Sequence, residues 1–128
     1  MIKENPRKIK RKNFEAQLIE ENVIYFLYHQ DAVIDVDEIK EGFRIHEELE
    51  LGPDILRIIE SEKYGTITKA ARECVQNESK PAKAEAFVIP HLAQKILFNI
   101  YTKLRKGNHP VKGFDTFKEA KKWIDGFK

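Results

Sequence analysis

The side chains of this chain that could do chemistry are few and scattered: four histidines, one cysteine and a group of hydroxyls between Ser61 and Thr68. His29, His46, His91 and His109 never fall at the short spacing, such as His-x3-His, that brings two imidazoles onto one metal ion. His46 shares the apolar face of a helical pattern, which predicts a core histidine with its nitrogens satisfied. His91 follows a strand end and opens a helix. Open α/β sheets bind ligands at such places, and helix amides attract anions there. The Ile89-Pro90-His91 turn, however, has no glycine-rich phosphate loop. Ser61, Tyr64, Thr66 and Thr68 follow an apolar strand pattern, and Thr68 reads as a helix N-cap. No Gly-x-Ser-x-Gly elbow occurs. Cys74 lies in a helical pattern as a small hydrophobe, and a single thiol permits neither an intrachain disulfide nor a thiolate cluster. Asp31, Asp35, Asp37 and Glu38 gather at a helix start, where they suit the helix dipole better than general acid–base work. The expectation is therefore no catalytic residue, no metal and no cofactor.

The elements that must position these residues are legible in the apolar spacing. Phe14, Ala16 and Leu18 alternate with polar residues, Asn22 can take a left-handed turn conformation, and Val23 to Tyr28 is a continuous apolar run. Together they predict a hairpin. Asp35 with Glu38 forms a capping box before a helix whose face holds Ile39, Phe43, His46 and Leu49, and Gly52-Pro53 closes that helix. Ile55 to Ile59 is a strand. Thr68 opens a second helix to about Asn77, burying Ala71, Cys74 and Val75. Ala86 to Ile89 is another strand. The third helix, Leu92 to Leu104, is apolar over a wide arc, and its core stripe is read as Ala93, Ile96, Leu97, Ile100 and Leu104. That reading leaves Phe98 outside the stripe and Tyr101 at its edge. Val111 to Phe114 is extended. Thr116 to Glu119 is a second capping box, opening a helix that buries Phe117, Ala120, Trp123, Ile124 and Phe127. Strands alternating with helices imply parallel strands joined by crossovers, an α/β fold with a mixed sheet of about five strands and four helices.

The chain has 128 residues, 41% hydrophobic and 34% charged, the composition of one globular domain. No apolar run reaches the roughly 18 residues that span a bilayer, and the N-terminus lacks a signal-peptide core. A cytoplasmic location is expected. Within the net charge of +2, residues 1–12 carry six cations against Glu4. They read as a basic flexible arm (1–12) ahead of a single domain (13–128). No aromatic residue interleaves these cations, so no nucleic-acid partner is expected.

The run LAQKILFNIYTKL from Leu92 to Leu104, the turn with Pro110, and FDTFKEAKKWI from Phe114 to Ile124 resemble small bacterial proteins of the STAS-like, SpoIIAA-like group, of the kind common in Bacteroidetes. Gly65 to Arg72 also resembles the start of that group's second helix. The resemblance covers roughly Phe14 to Phe127 in element order. It implies an N-terminal hairpin followed by a βα superhelix, and it carries over no catalytic residue. In the anti-sigma-factor antagonists of this kind, a hydroxyl in an Asp-Ser-Ser-Gly motif is phosphorylated. Here the matching region, Ser61 to Thr68, lacks the motif and is longer.

Two functions follow as expectations. The first is a non-catalytic STAS-like domain acting by regulatory protein–protein association, with another protein or a second copy as partner. Its surface would include Ser61, Tyr64, Thr66 and Thr68. His91, Phe98 and Tyr101 would extend it, the two aromatics forming an exposed flank fit for a homodimer. The second is a carrier or sensor for a lipid or other apolar small molecule, with the third helix lining the pocket.

Overall fold

The structure, a computed structural model, describes residues 8–62, 65–78, 80–104 and 109–128, apart from the side chains at 97, 101 and 104. In chain order its strands are β1 (Lys8–Lys10), β2 (Phe14–Glu20), β3 (Val23–Tyr28), β4 (Val33–Ile34), β5 (Leu56–Ser61), β6 (Thr66–Ile67), β7 (Ala84–Val88) and β8 (Val111–Phe114). Its helices are α1 (Val36–Glu48), α2 (Lys69–Glu78), α3 (Leu92–Leu104) and α4 (Phe117–Asp125). A six-stranded sheet runs β1-β2-β3-β5-β7-β8. Its first three strands are antiparallel, and from β3 onward the pairings are parallel. The fold is α/β with a mixed sheet and four helices, as the alternation of patterns predicts.

The hairpin forms as expected, with Asn22 at φ 66° and its side-chain amide donating to the Asp54 carbonyl at 2.7 Å. The strand count is higher than about five. The short alternation Lys8-Ile9-Lys10 pairs with Gln17, Ala16 and Glu15 of β2. Residues 8–10 are therefore an edge strand and not part of a free arm, and lysines suit such an edge because they discourage pairing with another chain. β4 and β6 form a separate two-stranded parallel ribbon.

The period of two divides the sheet into a three-helix face and a single-helix face. On the three-helix face, Phe14, Ala16, Ile24, Phe26 and Tyr28 meet Ile39, Ile45, Ala71 and Cys74 from α1 and α2. On the other, Val23, Leu56, Ile58, Ala84, Ala86 and Val88 pack against Ala120 and Ile124 of α4. The α4 stripe matches its spacing. Trp123 is only half-buried, its ring 5.6 Å from Phe114 and 4.8 Å from Phe127.

The caps are largely as read. Asp35 and Glu38 make the reciprocal box on α1, whereas at α4 Thr116 accepts from the Glu119 amide at 3.2 Å and donates to its carboxylate. Helix α1 stops earlier than Gly52: Leu49 is its C-cap, and Glu50 takes the left-handed turn at φ 56° while Leu51 donates back to the His46 carbonyl.

One expectation is overturned. Ile96 and Ile100 of α3 are 53% and 45% exposed and Ala93 is exposed as well, so the face read as core looks outward. Phe98 instead turns to the sheet, its ring 5.1 Å from Phe87. A Cβ built on Gly113 of β8 would lie 3.2 Å from the Phe98 ring and 2.9 Å from Ile89 Cδ1, so the bare backbone there is what lets Phe98 come down. A helix apolar on more than one side offers more than one stripe, and here it is Phe98 that faces the sheet.

Candidate functional site

The parallel strands β3, β5 and β7 end at one edge of the three-helix face, and there the helices do not close on the sheet. A half-open cavity of about 170 Å³ remains. Its sheet wall is Tyr28, Ile59, Ser61, Glu85 and Phe87; its helix walls are Ile39, Arg72, Val75, Gln94 and Phe98; the ribbon contributes Ile34, Thr66 and Ile67. The position is where open α/β sheets place ligands, at the carboxyl ends of parallel strands.

Local chemistry fixes the walls. The ribbon pairs Val33 with Thr66 and Ile34 with Ile67, immediately before α1 and α2. The Thr68 hydroxyl accepts from the Ala71 amide at 3.1 Å, as an N-cap should, and donates to the Asp35 carboxylate at 2.8 Å. Asp35 also accepts from Val36, so both helix caps meet in one cluster. The Val36 amide first and the Thr68 hydroxyl second hold the Asp35 carboxyl below its usual range.

Beneath the cavity lies a buried ionic knot. Arg57 and Glu85 are directly paired in the β5–β7 register and joined at 2.8 Å. Arg57 also donates to the Lys80 carbonyl at 2.7 Å and to His46 Nε2 at 2.9 Å. Guanidinium cannot accept, so His46 Nε2 is the acceptor and Nδ1–H donates to the Gly42 carbonyl at 2.8 Å. His109 meets the second Glu85 oxygen at 3.1 Å. Burial pushes the Glu85 carboxyl up, but Arg57 and His109 outweigh it and hold it down at about 2. Burial lowers His46 to about 4, and the nearby Arg57 charge adds to this against the Gly42 bond. His46 is thus the satisfied core histidine its helix face predicts, stacked on Phe26 at 5.6 Å.

Of the residues singled out from sequence, Ser61, Thr66 and Phe98 meet at the cavity. Thr68 caps α2 beside it. His91 precedes α3, its amide 3.4 Å from Gln94 Oε1, and does not line the space. Phe98 is half-buried and not on an outward flank. Tyr64 and the side chain of Tyr101 lie outside the described residues. Sequence reasoning missed Tyr28, Arg72 and Gln94. Arg72 carried a signal: α2 has no acid in its first turn and holds Lys69 and Arg72 there, against its own dipole. Arg57 and Glu85 carried another, as lone charges inside apolar strand runs. Among the described residues, no group of three or more histidine, cysteine or acidic side chains is placed to hold a metal, and no helix is long and apolar enough to cross a membrane.

Residues 17–128 match the family model of a domain of unknown function, DUF7793, and the chain belongs to that family. No curated protein matches the chain, and no solved structure does.

Proposed function

We propose that this member of the DUF7793 family is a binding domain, a carrier or sensor that takes a small, mostly apolar molecule into the cavity at the ends of β3, β5 and β7. The observation that carries this is the lining: nine aliphatic or aromatic side chains with a few polar groups among them, the usual make-up of a ligand site. The role is non-catalytic. In support, the Thr68 hydroxyl is taken up in capping, and Ser61 Oγ donates to a backbone carbonyl at 3.4 Å. The proposal includes a cytoplasmic location, for which the single cysteine speaks, and kinship with the STAS-like group, for which the hairpin followed by parallel strands speaks.

The test fills the cavity. Native mass spectrometry of freshly purified protein should find a retained small molecule, or thermal shift against a library of small apolar compounds should find stabilisers. Val75→Phe, which projects a ring into the cavity from α2, should remove that response and keep a cooperative melt. A response unchanged by Val75→Phe refutes the site.

A second reading is association, with a protein partner or a second copy, through the outward face of α3. Leu92, Ile96 and Ile100 support it, as three exposed aliphatic side chains at four-residue spacing. Light scattering over a concentration series, on wild type and Ile96→Glu, checks it. A wild-type monomer throughout removes the self-association form.

A further inference from the structure

Two polar groups in the cavity wall, the buried Tyr28 and the half-buried Arg72, have unused hydrogen-bonding capacity among the described residues. Tyr28 is 7% exposed, yet its hydroxyl makes no hydrogen bond among the described residues. Buried tyrosine hydroxyls almost always find one. Burial pushes this phenol well above its usual range, so at neutral pH it is a donor. Arg72 lines the same cavity. Of the five N–H donors of a guanidinium, one is engaged, through Nη1 on the Ile67 carbonyl at 3.0 Å. No carboxylate lies within ion-pair distance of Arg72 among the described residues, although 34% of the chain is charged. Its charge also sits in the first turn of α2, which favours an anion and not a cation.

The other charged wall residue, Glu85, does not offset Arg72. Both of its oxygens are engaged, one by Arg57 and one by His109. The uncompensated charge of the lining is therefore the single positive charge of Arg72, in a space that is otherwise mostly apolar. Its volume bounds the occupant. An apolar cavity of about 150 Å³ takes up benzene, and drug-sized ligands occupy about 300–1,000 Å³. At about 170 Å³ and half-open, this one suits a single ring with a short arm, and not a long-chain lipid.

Resting on the binding-site reading above, we infer that the ligand is a small amphiphilic carboxylate, its ring or short hydrocarbon body among Ile34, Ile59, Ile67, Val75, Phe87 and Phe98 and its carboxylate on Arg72. The anion completes the guanidinium and complements the start of α2. Charge-assisted bonds of this kind are about twice as strong as neutral ones.

Calorimetric titration with 3-phenylpropionate and its neutral isostere 3-phenylpropionamide tests the assignment. Wild type should bind the acid at least tenfold more tightly than the amide. Arg72→Met should weaken the acid far more than the amide and so abolish the preference, and Arg72→Lys should keep part of it. Equal affinity for acid and amide in wild type, or a preference that survives Arg72→Met, overturns the carboxylate and leaves the apolar site standing. Binding of neither compound also overturns it. Only a stabilising response untouched by Val75→Phe brings down the site as well.

Discussion

The two faces of the central sheet are built on opposite terms. The single-helix face is dry and closely fitted. Alanines at 84, 86 and 120 let α4 lie close on β5 and β7, and Ile58 and Ile124 fill the rest without exposure. The three-helix face carries two features a stability-only design would omit, a buried ion pair extended by two histidines and a cavity above it. Replacing buried ions with apolar residues is often neutral or stabilising, and a void forfeits packing. The difference teaches where the molecule holds its stability and where it has given some up to keep a cavity open.

The comparison breaks hardest at the knot. Glu85→Ala should cost about 3–5 kcal/mol in urea unfolding, because it strands the Arg57 guanidinium in the core. On the dry face, Ile124→Ala should cost about 2–4 kcal/mol, since a fully buried side chain leaves a cavity its neighbours cannot fill. The paired truncation beside the cavity, Val75→Ala, should cost under about 1 kcal/mol, because Val75 already borders open space. Equal losses for the two truncations would remove the contrast between the faces.

Acid should separate the faces as well. His46 titrates at about 4 when folded against a usual 6.5, and Glu85 at about 2 against 4.5. In each window the unfolded chain binds the extra proton, so stability rises with pH there. The His46 contribution is complete above about pH 6.5 and is lost as pH falls toward 4. The Glu85 contribution is complete above about pH 4.5 and is lost as pH falls toward 2. Unfolding at pH 7.5 and pH 4.5 should differ by roughly 2–3 kcal/mol, and His46→Gln should flatten that difference. The smallest effect is at α1's end. Glu50→Gly should stabilise by about 0.5–1 kcal/mol, read as a higher melting temperature, because glycine accepts the left-handed turn without a Cβ penalty.

Sequence patterning reached the dry face and the helix starts almost completely. Phe117, Ala120, Trp123, Ile124 and Phe127 have a single buried face to choose, and Asp35, Thr68 and Thr116 act through neighbours within four residues. It failed where the deciding contacts are distant. Helix α3 is apolar on two sides, so periodicity could not choose between the Ile96 stripe and Phe98; β8 chose, through Gly113. β1, β4 and β6 are too short to show a period. Ser61 and Thr66 could be singled out because they lie near strand ends; Phe98 was singled out as an exposed flank, and the structure turns it to the sheet. Tyr28 and Arg72 were missed because what marks them is a missing partner, and that is visible only once the chain is folded.

Gly113 has a reach beyond its own strand. It does not line the cavity, yet the ring it admits is part of the cavity's roof. A methyl group at that position would have to lift Phe98 or displace Ile89, two wall residues, and the headroom over the binding space would change with it. The height of the cavity is thus set in part by a residue that does not line it. If the proposed ligand site holds, a search for what limits ligand size should begin at β8, outside the pocket.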